Sequence, residues 1–377
     1  MRVLVVQRSL SPPGGGNGVA AWMVHALAGW CEVTTLTLSP WSVDGTNAFY
    51  GTAIPHNVPQ LTAPWHWRPL AARGDDRLTR LRMCAVLGEA RRIASRFDLM
   101  VTADNFAAFN APGIQYVHFP ALLQPPPAKW PRLVNGYFAL CDRILGAPWR
   151  DATRNLTLAN SRWTANGLAA LGECTADVLY PPVLDPGPGL PWEHRDNSFL
   201  CVGRFVPVKR IEVAIAIVDA VRRRAMPDAT LVIVGSIVDR SYKHHLRMLA
   251  GGRTWIEFRE DVTRESLHSL MGRARYGLQP MIGEHFGMAT AEMTRAGCLV
   301  FAHDSGGTPE VLDRESSLLW STEAEAVDRI TSADPSALQP RLRERARMFL
   351  AETFVTQFRA TVERYVSRLN SGSAISS

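Results

Sequence analysis

Short β-rich runs alternate with helix-period segments along almost the whole 377-residue chain. The run Arg2–Val6 leads into a glycine-rich loop, Ser9–Gly18, and then into a helical pattern over Val19–Leu27. Strands separated by helices predict an α/β protein with parallel, doubly wound sheets. A chain of this length exceeds one ordinary core, so we expect two domains.

The predicted elements form two series on either side of a proline- and glycine-rich linker, Pro181–Asn197. The first series has strands Arg2–Val6, Glu32–Leu38, Leu99–Thr102, Gly113–Val117, Leu156–Ser161 and Asp177–Tyr180, with helices over Leu78–Phe97 and up to about Leu171. The second has strands Phe199–Val202, Thr230–Val234, Trp255–Phe258, Gly277–Pro280 and Leu299–Ala302, and helices Ile211–Arg224, Tyr242–Leu249, Arg264–Ala274 and Gly287–Ala296.

These series predict two Rossmann-like domains, residues 1–183 and 184–353, followed by an amphipathic helix in 354–377. That helix, Phe354–Leu369, would pack on one of the two domains, most simply the first, and the Ser-rich tail beyond it would be frayed. In open α/β sheets, ligands bind at the carboxyl ends of the strands. We therefore expect the two domains to face each other across a cleft that holds the site.

The charge and cysteine pattern narrows the class of protein. The net charge of +6 favours anionic partners such as nucleotide phosphates, nucleic acid or an acidic lipid surface. The longest basic run, Arg222–Arg224, suits a helix C-terminus better than a nucleic-acid patch, because no aromatic residues are interleaved with it. Six scattered cysteines without a C-x-x-C pair, and no signal-peptide-like or membrane-spanning run, predict a cytoplasmic protein with no structural metal.

The most informative motif is Gly283–Glu292, in which two glutamates flank a strand-to-helix turn with E-x7-E spacing. We expect the helix to begin near Phe286–Met288, where its free amides and positive dipole end can hold a diphosphate. Glu284 lies just before that end and can accept hydrogen bonds from sugar hydroxyls, whereas Glu292 can reach a ribose. The alternatives are a helix-capping acid and a solvated face, respectively.

Glycines and cations support this site. Gly287 permits close backbone approach, and Gly306–Gly307 provides a second such place after the next strand. Arg204 and Lys209 follow the first strand of the second series, where fixed cations would stabilise negative charge on a departing diphosphate. The alternative is that both are ordinary surface charges.

Two features of the first series are also candidates. The glycines of Pro13–Gly18, including Gly15 and Gly16, form either a turn whose backbone faces a phosphate or acceptor hydroxyl, or a plain tight turn. Their spacing is not G-x-G-x-x-G, which disfavours a dinucleotide site. His118 ends the strand Gly113–Val117 and lies at the edge expected of an active site, unless it only satisfies nearby backbone groups.

Taken together, these residues resemble glycosyltransferase family 4, the retaining GT-B enzymes, over nearly the whole chain. The E-x7-E block is the most specific part. Five segments are similar to the GDP-mannose-dependent α-1,2-mannosyltransferases that extend lipid-linked oligosaccharides: Tyr116–Pro120, Ala159–Thr164, Tyr180–Val183, Glu284–Gly287 and Ala302–Gly307.

This resemblance implies a GT-B fold and retaining transfer of a hexose, with mannose favoured, from a GDP- or UDP-sugar to an acceptor hydroxyl in α-linkage. The acceptor would be a glycan, a lipid-linked glycan or a small molecule. The implied mechanism is front-face and needs neither metal nor cofactor. The N-terminal domain would be the acceptor side and the C-terminal domain the donor side, and nucleic acid would not be a partner.

The resemblance also assigns roles to side chains. Glu284 would bind the donor sugar and stabilise its oxocarbenium-like state, and Glu292 would bind the ribose. Arg204 and Lys209 would bind the diphosphate. His118 would contact the sugar from the other domain.

Backbone atoms complete the implied site. The amides of three residues would contact phosphate: Phe286, Gly287 and Met288. The backbone near Val262 would face the base. Glu260 departs from the glycine of the usual Phe-x-Gly pattern, and Arg210 replaces the glycine that often follows the lysine, so Arg210 is a further candidate for phosphate contact.

Alternatives remain for one segment and for the function. The segment Pro125–Trp149, aromatic with scattered basic residues, is either a peripheral contact with an anionic membrane at its inner face or an ordinary buried helix with an aromatic loop. The same fold also suits a nucleotide-sugar epimerase or phosphorylase, or a non-catalytic sugar-nucleotide-binding protein.

Overall fold

The computed structural model describes residues 1–64, 78–105, 107–119, 136–137, 139–141, 143, 155–171 and 175–371. The chain separates into two compact units. Unit 1 comprises Met1–Pro182 together with the chain from Ala351 onwards, and unit 2 comprises Val183–Leu350. The chain passes from unit 1 to unit 2 after Pro182 and returns to unit 1 after Leu350, close to the boundaries expected at 183 and 353. Most of the predicted segment 125–149 lies outside the described residues.

In the described part of unit 1, one sheet contains seven strands: β1 Arg2–Val6, β2 Glu32–Thr37, β3 Gln60–Thr62, β4 Leu99–Thr102, β5 Gly113–Val117, β6 Leu156–Ala159 and β7 Asp177–Val178. Neighbouring strands are parallel, in the order β3-β2-β1-β4-β5-β6-β7. The interior strand β1 is buried from Val3 to Val6, and Val3 pairs with both Val33 and Leu99. The strand order therefore reverses between β1 and β4, which is where ligands of such sheets bind.

The described helices of unit 1 before the linker are α1 Gly15–Leu27, α2 Val43–Tyr50, α3 Thr79–Ile93 and α4 Arg162–Ala170. The predicted start of α1, Val19, was wrong, because the helix begins at Gly15. Packing explains the early start. A Cβ on Gly18 would lie 3.0 Å from the ring of Tyr50, and the Tyr50 hydroxyl donates to the Gly14 carbonyl at 3.0 Å. Close contact with α2, an element that the sequence did not predict, overrides the low helix propensity of glycine.

Unit 2 is described throughout. Its six-stranded sheet contains β8 Asp196–Val202, β9 Thr230–Gly235, β10 Ile256–Glu260, β11 Ala274–Gln279, β12 Leu299–His303 and β13 Leu319–Trp320, all parallel in the order β10-β9-β8-β11-β12-β13. Its α-helices are α5 Ile211–Arg224, α6 Arg240–Ala250, α7 Arg264–Arg273, α8 Met288–Ala296, α9 Thr308–Val311, α10 Glu323–Ser332 and α11 Pro335–Arg345. The switch point of this sheet lies between β8 and β11.

Apolar periodicity explains why α5 matches its predicted bounds. Ile211, Ile217, Val218 and Val221 recur at helical spacing and are at most 1% exposed in the core of unit 2. The basic residues of its last turn have partners within unit 2: the Arg222 guanidinium donates to the Ala229 carbonyl, Arg223 pairs with Asp219 and Arg224 pairs with Asp328 of α10. The interpretation of Arg222–Arg224 as a helix end is therefore confirmed.

The largest differences from the predicted elements lie between β12 and the last helix. No element was predicted there, yet α9, β13, α10 and α11 occupy this stretch. The predicted linker also overlaps the start of β8 and contains a short 3-10 helix, Trp192–His194. The predicted linker Pro181–Asn197 was therefore too long, because its proline and glycine content gave no sign of the 3-10 helix or of the start of β8.

The last helix, α12, spans Ala351–Asn370 and packs against α1 within unit 1. Arg359 donates to the Ala26 carbonyl at 2.5 Å, and the Tyr365 hydroxyl accepts a hydrogen bond from the Gly113 amide at 3.2 Å. Its core-facing residues include Phe354 and Phe358. Unit 1 is thus completed by the C-terminal helix.

The cysteines and the helix lengths bear on the predictions about disulfides and membrane spans. The five cysteines that the structure describes are free thiols: Cys31, Cys84, Cys141, Cys201 and Cys298. Among the helices in the described ranges, none combines the length and apolar character needed to cross a bilayer.

Candidate functional site

The carboxyl ends of β8 and β11 flank the switch point of unit 2. After β8, the chain runs beside the end of β9, with the Gly203 amide donating to the Val234 carbonyl at 2.9 Å. A Cβ on Gly235 would collide with the Gly203 carbonyl, so only glycine fits this approach. A 3-10 turn, Pro207–Lys209, then brings the Lys209 side chain back over Gly203. The predicted cation is thereby held at the edge of the sheet.

Lys209 and Glu284 form an ion pair at this edge. The Lys209 ammonium donates to the Glu284 carboxylate, and the two side chains are only 17% and 15% exposed. The structure therefore brings together two predicted site residues that are 75 positions apart in sequence. Glu284 does not cap the following helix, because the N-cap position is Gly287, so the capping interpretation was wrong.

The backbone of the Glu284 loop is braced by the loop after β12. The Gly283 amide donates to the Ser305 hydroxyl at 2.8 Å, and the Gly307 amide donates to the Glu284 carbonyl at 2.7 Å. A Cβ on Gly306 would collide with that same carbonyl. The predicted close approach at Gly306–Gly307 is thus an approach to the chain itself, and it fixes the loop while leaving the Glu284 carboxylate to Lys209.

Helix α8 begins at the same edge. Its N-cap, Gly287, has φ of +99°, a conformation that favours glycine, and has no side chain to cap the first-turn amides. Phe286 is buried against Phe349, with ring centroids 5.3 Å apart, and anchors the turn. The helix start therefore presents amide donors and the positive dipole end next to the Lys209–Glu284 pair.

Two buried hydroxyls lie beside Gly287. A Cβ at this glycine would be 2.9 Å from Thr308 Oγ1 and 3.3 Å from Thr290 Oγ1. Within the described residues, neither hydroxyl has a hydrogen-bond partner. The crowding means that any side chain at position 287 would displace the start of α8.

Glu292 lies one turn further along α8 and is buried, at 6% exposed, so the interpretation as a solvated face was wrong. Its carboxylate accepts a hydrogen bond from Arg264 Nη1 at 3.0 Å. Burial raises the pKa of Glu292, and the charge of Arg264 opposes that shift. Arg264 was not among the predicted site residues. The sequence did contain a signal for Arg264: a cation at the first residue of a helix interacts unfavourably with the positive end of the helix dipole, so another role is expected for it.

The proposed base-facing segment follows β10. Val262 is partly buried against the core of unit 2. Glu260, the departure from the glycine pattern, pairs with Lys243 at 2.6 Å and Arg247 at 2.9 Å, and these cations lower the pKa of its carboxyl. The extra carboxylate is thus bound by α6.

The remaining cations after β8 differ from Lys209. Arg204 is exposed at the end of the strand. Arg210 has a left-handed backbone, with φ of +51°, and its guanidinium donates to the Pro280 carbonyl at 3.2 Å. Arg210 therefore links the loops after β8 and β11, and its candidacy as a phosphate ligand stays a prediction.

In unit 1, the start of α1 and the end of β5 meet. A Cβ on Gly16 would lie 3.3 Å from His118 Nε2, whereas Gly15 is exposed at the first position of the helix. The His118 backbone is held on both sides, its amide donating to Asn105 Oδ1 at 2.8 Å and its carbonyl accepting from Asn160 Nδ2 at 3.1 Å. The predicted neighbours Gly16 and His118 therefore lie together, and their roles stay predictions.

Comparison with known proteins identifies the fold and shows which proteins unit 2 resembles. Residues 188–347 match the family model described as "Glycosyl transferases group 1". Across nearly its whole length the chain is similar to the sucrose-phosphate synthase of Thermosynechococcus elongatus, with TM-score 0.71 and 17% identity over 97% of this chain and 99% of the other. Anabaena HepE in complex with UDP gives TM-score 0.69 and 14% identity over 97% and 100%. The chain therefore has the GT-B fold, two Rossmann-like units, as predicted, and the stretch of unit 2 from residue 188 to residue 347 is similar to group 1 glycosyl transferases.

A curated relative narrows the comparison. The human protein named "GDP-Man:Man(3)GlcNAc(2)-PP-Dol alpha-1,2-mannosyltransferase" is 28% identical over 239 residues, which cover 56% of this chain and 48% of the relative. Relatives of the same name occur in other animals and in fungi. The chain spans about half the length of the curated relatives it matches. The resemblance predicted from sequence motifs is thus confirmed.

Proposed function

We propose that the protein is a retaining, metal-independent glycosyltransferase that moves a hexose, with mannose favoured, from a nucleotide-diphosphate sugar to an acceptor hydroxyl. The observation that carries the proposal is the Lys209–Glu284 ion pair beside the amide end of α8. A cation and the first-turn amides of α8 suit a negative diphosphate, and the carboxylate at the same sheet edge suits the positive charge that develops on the sugar during transfer. The group 1 domain and the mannosyltransferase names of the relatives support the same class of reaction.

Each group has a role in this reaction. The diphosphate docks on the α8 amides and on Lys209, which then shares its charge between phosphate and Glu284. The acceptor hydroxyl oxygen bonds to the anomeric carbon as the bond from that carbon to the diphosphate oxygen breaks. The departing oxygen takes the acceptor proton, and the anomeric configuration is retained. Glu284 stabilises positive charge on the sugar in the transition state, and Lys209 stabilises negative charge on the leaving group.

The first test is nucleotide binding. GDP, UDP, GDP-mannose and UDP-glucose are each titrated in thermal-shift assays, because a ligand that binds only the folded state raises its stability with concentration. We expect stabilisation by one nucleotide and its sugar, with GDP favoured. Absence of a shift with all four would contradict the proposal.

The second test is Glu284→Ala in transfer of labelled sugar to lipid-linked and small glycan acceptors. Loss of an electrostatic group used in the transition state should lower transfer by about 100-fold or more while nucleotide affinity is largely kept. The matched control is Glu315→Ala, another partly buried glutamate of unit 2, paired with Arg341 at 2.5 Å. Unchanged turnover in Glu284→Ala would remove Glu284 from the mechanism. Conversion of donor without acceptor would favour an epimerase, and binding without turnover a non-catalytic protein.

A further inference from the structure

Glu292 and Arg264 form an ion pair that has no role in the transfer step proposed above. Glu292 lies on α8, and Arg264 is the first residue of α7, directly after the loop that ends β10. The Thr263 hydroxyl caps α7 by accepting a hydrogen bond from the Ser266 amide, which fixes the point where Arg264 leaves the loop. The side chain of Arg264 is 26% exposed and that of Glu292 only 8%. The carboxylate is therefore more enclosed than the arginine that pairs with it.

The chemical state of Glu292 depends on this neighbour. An enclosed carboxyl group without a cation loses hydration and favours its neutral form. The neutral form has a proton on one oxygen and accepts fewer hydrogen bonds, whereas the carboxylate accepts through both oxygens. Among the described residues, Arg264 Nη1 donates to Oε1 of this carboxylate and leaves Oε2 as a further acceptor. A carboxylate held this way keeps acceptor capacity for a vicinal diol.

We propose that Arg264 is a positioning residue for the donor ribose: its guanidinium fixes Glu292 as an ionised acceptor for the 2′- and 3′-hydroxyls. This inference rests on the proposed function, since it takes the bound ligand to be a ribonucleoside diphosphate. Arg264 acts through Glu292 and takes no part in bond making. A plain structural ion pair between α7 and α8 would instead affect stability and leave the recognition of ribose unchanged.

The test compares GDP with 2′,3′-dideoxy-GDP, and UDP with 2′,3′-dideoxy-UDP, by isothermal titration calorimetry on the full chain. The wild-type protein should prefer the ribose form by about tenfold or more, the value of hydrogen bonds to a charged group. Arg264→Met should reduce this preference to about twofold or less, and Arg264→Lys should restore part of it because the charge is kept. Glu292→Gln should lose it as well. Since the preference is a ratio within each variant, a general loss of stability does not imitate the effect.

A matched control lies on the same helix. Arg295 of α8 pairs with Asp185 at 2.8 Å, and Arg295→Met should leave the ribose preference at the wild-type value. If Arg264→Met keeps the wild-type preference and only lowers the melting temperature, the pair is structural and the inference fails while the proposed function stands. If neither GDP nor UDP binds the wild-type protein, the proposed function itself fails.

Discussion

Units 1 and 2 both place a helix that begins on a positive-φ glycine at the carboxyl edge of the sheet, but they surround it differently. In unit 1, Gly14 has φ of +144°, and its carbonyl accepts a hydrogen bond from the hydroxyl of Tyr50. In unit 2, Gly287 has φ of +99° and lies beside the Lys209–Glu284 ion pair. The helix start in unit 1 thus has a packing contact with Tyr50, whereas the helix start in unit 2 has a cation and a carboxylate beside it. We therefore expect the charged groups beside a glycine-rich helix start, and not the glycines alone, to decide whether it binds a diphosphate.

The ion pairs of the two units give the prediction with the largest effect. Lys209→Met removes the cation of the proposed donor site, and transfer should fall by about 100-fold or more, with weaker GDP binding. In unit 1, Arg8 pairs with the buried Asp104 at 2.7 Å at the switch point. Asp104→Asn should lower the free energy of unfolding by about 1–3 kcal/mol and leave transfer per folded molecule unchanged. Single-turnover transfer and urea denaturation of both variants check this.

The two ion pairs would not differ in function if the Asp104→Asn variant, measured as folded protein, lost as much transfer or GDP affinity as Lys209→Met. That result would give the ion pair of unit 1 a part in ligand binding. If Lys209→Met lost stability but kept wild-type transfer, the ion pair of unit 2 would be structural and Lys209 would have no role in transfer.

The two N-cap glycines give a smaller effect. Alanine at either position strains a backbone with positive φ and should cost about 1–3 kcal/mol of stability. Only Gly287→Ala should also weaken GDP binding, by about tenfold, because its Cβ would lie 2.9 Å from Thr308 Oγ1 and shift the amides of α8. Among the described residues, the nearest neighbour of a Cβ on Gly14 would be Asn17, at 3.4 Å. Calorimetric GDP titration of both variants separates the cases, and an equal loss of affinity would show that both helix starts bind the nucleotide.

The sequence predicted those features whose cause is local. Helix α5 was predicted correctly because its apolar period is strong, and the strand-to-helix turn at Glu284–Gly287 was placed because a motif spans it. Arg264 was missed, since its importance comes from a contact with Glu292 across 28 positions of sequence. The start of α1 was misplaced for a similar reason: the contact of Gly18 with Tyr50 is not visible in a local pattern. Helix and strand propensities describe single segments of sequence. Contacts between residues of different elements, such as Arg264 with Glu292, are set by tertiary structure.

Two glycines inside helices of unit 1 give the smallest predicted effect and test the packing interpretation of α1. Gly18 lies in α1, where a Cβ would be 3.0 Å from Cδ1 and Cε1 of Tyr50. Gly88 lies in α3, where a Cβ would meet none of the described residues within 4 Å. Gly18→Ala should therefore lower the free energy of unfolding by about 1–3 kcal/mol through overpacking. Gly88→Ala should raise it by roughly 0.5–1 kcal/mol, because alanine has the higher helix propensity and no described residue obstructs its methyl group.

Urea denaturation of both variants measures the difference in sign, and transfer by the folded protein should be unchanged in Gly88→Ala. If Gly18→Ala also stabilises the protein, the ring of Tyr50 moves aside easily and close packing does not explain the glycines of α1. The alternative predicted for Pro13–Gly18, a backbone that faces a phosphate or an acceptor hydroxyl, would then account for them better, and the contrast between the two helix starts would shrink to the ion pairs alone.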